Sequence, residues 1–314
     1  CDDANEEYGM RFGFWPNPRS TYESTRILAQ HAEVTGWDGI WLADHFLPEE
    51  DQLIPIHECW ITMAALARDV PRIRLGSLVT GNTYRHPAVL ANMVATLDHL
   101  SNGRIVLGLG SGWQKNEHEA YGIEYNTAGS RLKKLEEACQ VIKGLFSQDY
   151  FSFDGDFYQL RNASMEPKPK QKNLPLLVGG GGEKVTLRIT AKYADEWNVW
   201  GDVDTLIHKM GVLDQHCQDV GRNPAEIERS AVALLFLTDD QERISRLKNT
   251  ELPMPSIIGN TNEIIDIVGG YHDAGVHELM VPDFTLGTLI GAGSEKLELM
   301  DKFITEVASK FRPD

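Results

Sequence analysis

Short apolar, β-branched runs alternate along the chain with longer stretches whose apolar residues recur at helical spacing. The short runs fall at 10–15, 39–43, 73–80, 104–109, 176–179, 196–200, 230–237 and 278–282. Helical patterns follow them at 21–34, 57–69, 87–100, 129–147, 184–193, 203–220, 241–248, 262–274 and 295–311. The first helix carries Ile27, Leu28, Ala32 and Val34 as its apolar face and ends at Gly36, a C-cap residue type. Pro87 is placed as a helix starter. The rhythm breaks once, at 150–162, where Phe151–Tyr158 reads as a hairpin around an Asp-Gly turn. Pro167 to Lys170 then reads as a stiff linker back to the main pattern. Eight βα units with mostly apolar strands predict an α/β fold, a (β/α)8 barrel with an insertion hairpin between strands four and five. An open doubly wound sheet is the alternative, though it usually has fewer strands and an early phosphate loop. Residues 1–9 are polar and acidic and read as an extension, with the barrel domain over 10–314.

In such a barrel, chemistry sits where strands end. The first strand ends at Trp15, the second at Asp44-His45 and the third at Thr80. The fourth leads into Gly110, Ser111, Gly112 and Trp113. The fifth runs into four consecutive glycines, Gly179, Gly180, Gly181 and Gly182, and the sixth ends at Trp200. A strand that passes through bare backbone into a helix offers N–H groups and positive potential to a phosphate. No lysine ends a strand, which argues against Schiff-base chemistry. Carboxylates are too sparse for a two-metal hydrolase or a glycosidase pair, so no metal site is expected. What remains is an aromatic, glycine-rich mouth with one Asp-His pair, suited to a flat anionic cofactor. Trp41, in mid-strand, reads as core, and His118, in a polar stretch, as solvent-exposed. Gly108 to Gly112 lacks the spacing of a dinucleotide fingerprint and reads as permitting a tight turn.

Net charge is −16, which argues against nucleic-acid or anionic-membrane partners. The four cysteines form no CxxC pair, so neither a disulfide framework nor a zinc site is expected and a reducing cytoplasm is the default. A chain opening on cysteine also fits a processed lipoprotein terminus. No apolar run is long enough to span a bilayer.

Several segments together resemble the bacterial luciferase-like monooxygenase superfamily: Gly39 to Phe46, His86 to Ala91, Ser101 to Arg104, Gly108 to Trp113, Glu117 to Gly122, Pro167 to Pro169, Gly179 to Gly182 and Tyr193 to Asn198. Gly-Leu-Gly-Ser-Gly-Trp with Glu-His downstream, and Gly-Gly-Gly-Gly-Glu-Lys, resemble the branch dependent on coenzyme F420, a deazaflavin. Relatives binding FMN share the framework, so FMN is the alternative cofactor.

The resemblance implies a barrel that is often a homodimer, with a cofactor ring over strands two to four and its phosphate at the glycine run, where Lys184 is the nearby cation. It implies a non-prolyl cis peptide within Ser77-Leu78-Val79, pressed against the ring, with Thr80, Gly110 and Ser111 beside it. Sugar-phosphate dehydrogenase relatives carry a catalytic glutamate where this chain has Trp113, which favours an apolar or aromatic substrate here. The implied reaction moves a hydride between the deazaflavin and a small organic substrate. His45, positioned by Asp44, handles the matching proton, and Trp15, Trp113 and Trp200 wall the substrate side. The rival readings are an FMN-dependent monooxygenase served by a separate reductase, and a cofactor-binding barrel without turnover.

Overall fold

A computed structural model describes residues 9–49 and 52–312; most of the expected extension at 1–9 lies outside them. Eight parallel strands close into a ring. They are Arg11–Trp15, Gly39–Leu42, Arg74–Ser77, Ile105–Gly110, Leu176–Gly179, Glu196–Trp200, Glu228–Val232 and Glu278–Pro282. Each pairs with its sequence neighbour, and the first pairs with the eighth through Trp15 opposite Pro282. The third resumes briefly at Thr80–Gly81, still paired with the fourth, after the chain bulges at Leu78 and Val79. Every residue of strands two, four and eight is buried, as expected of parallel strands covered on both faces. The expected (β/α)8 barrel is therefore the observed one.

The helices lie where the periodicity placed them, and local chemistry fixes their ends. Thr21 caps Tyr22–Thr35 by accepting the Ser24 N–H, and Gly36 closes it at φ 100°. Pro87 opens Pro87–Leu100. On the first helix, however, Thr25, Leu28, Ala29 and Ala32 face the core, while Ile27 and Val34 point outward. The inward stripe thus uses small residues rather than every apolar one.

Two further segments depart from expectation. The predicted seventh strand at 230–237 is two strands. Glu228–Val232 belongs to the ring, whereas Leu234–Leu237 leaves it and pairs in parallel with Ser256–Gly259, a strand the pattern did not reveal. The final helix keeps α geometry only over Ser294–Lys302, then loosens into a π turn and a 3-10 turn that ends at Phe311.

The insertion hairpin is as expected, with Phe151–Asp154 antiparallel to Gln159–Ala163. Its turn docks on the helix Ala128–Ser147 because the Glu137 carboxylate accepts the N–H groups of Asp156, Phe157 and Tyr158 at 2.8, 3.0 and 3.0 Å.

Trp41 is core, as its mid-strand position suggested. Its indole lies across Gly13 and Gly76, where an added Cβ would sit 2.5 and 2.3 Å from the ring. The indole Nε1 donates to Glu278 at 2.8 Å. Around it Glu278, Glu196 and Glu228 converge on Arg11 and Arg74 and fill the N-terminal end of the barrel. Three carboxylates face two guanidinium groups. Burial, with the neighbouring carboxylates, pushes Glu196 up to about 7 against the pull of Arg74.

Candidate active site

A cavity of about 820 Å³ opens at the opposite end, where the strands finish. Its floor is shaped by the Leu78–Val79 bulge, whose peptide bond is cis. Ser77 ties the bulge to strand four: its hydroxyl donates to the Gly108 carbonyl at 2.9 Å and accepts the Gly108 N–H and the Thr80 hydroxyl. The glycines around the bulge are required by it. A Cβ on Gly108 would lie 1.9 Å from the Ser77 carbonyl oxygen. On Gly110 or Gly179 it would lie 2.7 Å from a Val79 methyl. Gly108 and Gly110 thus make room for a neighbouring strand, while Gly112, at φ 80°, turns the chain beyond strand four as expected.

Leu78, Val79, Thr80, Gly110, Ser111 and the run Gly179 to Gly181 all line the cavity, as expected. Ser77, Gly182 and Lys184 do not. Ser77 is wholly buried behind the bulge, and Gly182 faces Thr186, while the Lys184 side chain is exposed. The glycine run divides its work. Gly179 clears Val79, and Gly180 spends its N–H on the Asn198 carbonyl at 2.9 Å and its carbonyl on the Trp197 indole. The N–H groups of Gly181 and Gly182 have no acceptor among the described residues. Lys209 is the cation beside them, with its Cε 3.4 Å from where a Gly181 Cβ would stand and its Nζ 2.6 Å from Glu183. Sequence reading missed Lys209 because it reaches in from the helix Val203–Asp219, after strand six.

The Asp44-His45 pair separates. Asp44 does not position His45: its wholly buried carboxylate is clamped by Arg85 at 2.6 and 3.0 Å, and Arg85 also binds Glu58. Burial raises the Asp44 pKa against the pull of Arg85. The partner of His45 is Glu117, whose Oε1 lies 2.9 Å from Nδ1. Glu117 also accepts the Tyr84 hydroxyl and the N–H groups of Phe46 and Leu47. Burial opposes its charge, yet the bonds from His45, Tyr84 and Phe46 together hold its carboxyl below the ordinary value. An ionised Glu117 accepts from Nδ1–H, which leaves Nε2 as the other nitrogen of a ring that lines the cavity.

His118 was expected to be solvent-exposed, in a polar stretch that also holds Glu117. The two lie instead on a short helix, Lys115–Tyr121, and both are fully buried. His118 bridges Thr83 and the Gln114 carbonyl. The signal available in the sequence was Gly122, which caps this helix in the left-handed region at φ 67°.

Trp15, Trp113 and Trp200 all line the cavity. Trp15 packs 5.8 Å from Trp200 and 5.6 Å from Phe284 between ring centroids. Trp113 is 58% exposed at the mouth and meets the His45 ring edge-on at 5.5 Å. No described helix is long and apolar enough to cross a membrane.

Known proteins share this architecture. The chain is 37% identical over 169 residues to an F420-dependent glucose-6-phosphate dehydrogenase of Amycolatopsis mediterranei, covering 53% of this chain and 48% of that one. It thus spans about half that relative's length. A second protein of that description, from Kineococcus radiotolerans, is 27% identical over 91% of this chain and 92% of its own. The fold matches that of an F420-dependent secondary alcohol dehydrogenase in complex with an F420-acetone adduct, with a TM-score of 0.83 at 19% identity over 97% of this chain and all of that one. The model of the luciferase-like monooxygenase family matches residues 10–307, so the chain belongs to that family.

Proposed function

We propose that this chain is an F420-dependent oxidoreductase acting on a small organic substrate. The observation that carries the reading is one cavity with two complementary walls: a backbone seat at Leu78–Thr80, Gly110 and Gly179–Gly181, and His45, whose Nδ1 is held by Glu117, lining the same space. The seat fits the cofactor. A flat ring needs a wall of accessible backbone, and Gly110, Gly179, Gly180 and Gly181 bring backbone without side chains to the cavity beside Val79. The N–H groups of Gly181 and Gly182, with Lys209, are the groups that would hold a phosphate. A relative matched over 92% of its own length carries the F420-dependent description.

When bound, the deazaflavin would supply a two-electron carbon centre that accepts or donates hydride. The chain supplies the proton. In the oxidative direction His45 Nε2 accepts it from a substrate hydroxyl, and the ionised Glu117 stabilises the resulting imidazolium. In the reductive direction the protonated ring returns it. Tyr84 and the two N–H groups on Glu117 keep the carboxylate aimed at Nδ1. Asp44, locked by Arg85, holds the strand-two end in place. Trp113 shields His45 from water on the open side.

Equilibrium titration of the protein with F420 and, separately, with FMN tests the reading. Binding of F420 at least tenfold tighter than FMN is expected. The reverse order would replace it with an FMN-dependent monooxygenase.

A further inference from the structure

The cavity wall away from the backbone seat is apolar. Trp15, Trp200, Phe284, Met254 and Leu289 form it. Phe284 and Leu289 come from the segment after strand eight, which is anchored at its base by the Asp283–Lys296 ion pair. That pair is 2.6 Å long and both side chains are wholly buried. The Thr285 hydroxyl donates to the Leu235 carbonyl at 2.6 Å, and the Asn17 amide donates to the Leu289 carbonyl at 3.3 Å. Three elements thus hold one aromatic face in place.

Charge is scarce within that face. Asp44 is paired with Arg85 and His45 with Glu117, and neither Arg85 nor Glu117 lines the cavity. Arg19 is the sole lysine or arginine among the described lining residues, and Glu49 lines the same mouth with the opposite charge. A phosphate dianion placed against tryptophan and phenylalanine loses hydration that a single guanidinium cannot restore.

We propose that the substrate is an uncharged alcohol or ketone with an apolar body, and that a sugar phosphate is excluded. The proposal rests on the F420-dependent reading of the same cavity. In the oxidative direction the carbinol C–H leaves as hydride to the deazaflavin, the hydroxyl proton passes to His45 Nε2, and the C–O bond becomes C=O. The apolar wall holds the body of the substrate, and its hydroxyl points toward His45 at the polar margin.

Calorimetric titration with 2-butanone, 2-hexanone and 2-octanone, with and without F420, tests this. Affinity is expected to rise at least twofold per added methylene, approaching the roughly fourfold that complete burial gives. Glucose 6-phosphate at tenfold excess is expected to displace none of the bound ketone. Trp200→Ala is expected to flatten the series while leaving F420 affinity within threefold. A flat series in the unaltered protein, or displacement by glucose 6-phosphate, overturns the proposal. A rising series in a protein that does not bind F420 sinks the cofactor reading and leaves the wall's preference standing. F420 binding with a flat series does the opposite.

Discussion

Both ends of the barrel bury charge, and they treat it in opposite ways. At the N-terminal end five ionisable side chains meet one another under the Trp41 indole. At the C-terminal end Asp44 and Glu117 are just as buried, yet Glu117 is committed to His45, which lines the cavity. The first arrangement closes on itself. The second leaves one valence, His45 Nε2, for an incoming molecule. Buried charge alone therefore does not mark a site; what marks it is a polar network with one position left over.

That contrast predicts separable effects. The strongest test lies between the two ends, at Gly108, where both the strands and the seat depend on absent side-chain atoms. Gly108→Ala should cost on the order of 5 kcal/mol or prevent folding, because its Cβ would meet a backbone oxygen. Denaturant unfolding within 1 kcal/mol of the unaltered protein would show that the bulge can relax.

His45→Ala should lower turnover by about 10²–10⁴-fold while moving the unfolding midpoint little. Equal turnover would remove His45 from the proton path. At the other end Glu278→Gln should do the reverse. About 3 kcal/mol of stability is expected to go, since two arginines and an indole lose their shared acceptor, with F420 affinity unchanged.

A pH series probes the excess carboxylate. Glu196 is raised in the folded state to about 7, so the folded protein holds a proton that the unfolded chain has released. Stability from this group is full below about 4.5 and is lost as pH rises through 7, on the order of 3 kcal/mol. Glu196→Gln should flatten that slope; an unaltered slope would place the titration elsewhere. The smallest expected effect is Glu117→Gln, about tenfold in turnover with substrate KM little changed, since the imidazolium formed at His45 loses its counter-charge. A raised KM with turnover unchanged would make Glu117 a packing residue only.

The alternation of periods was enough to read the ring, because parallel strands buried on both faces are nearly continuous apolar runs. Strand 256–259 escaped because Ser256-Ile257-Ile258-Gly259 is short and sits after a polar, proline-bearing stretch, and because it pairs outside the ring. At the site, position along each strand found the lining residues but not their partners. Asp44 and His45 are adjacent in sequence, and adjacency suggested a pair. Successive side chains of an extended segment point apart, so each found its partner on another element: Arg85 for one, Glu117 for the other. The burial of Glu117 was hidden by its polar neighbours on a helix of only seven residues, too short for periodicity to show.

The seating of Val79 between Gly110 and Gly179 has a consequence for how this surface can change over generations. Three strands share one steric lock, so no single substitution at any of them is independent of the other two. A lineage can exchange the aromatic wall residue by residue and so acquire new substrates. The opposite face must be inherited whole or rebuilt in concert. Diversity is therefore channelled to one side of the cavity, and a redesign that respects this asymmetry would vary Trp200 and Leu289 while leaving the glycines untouched.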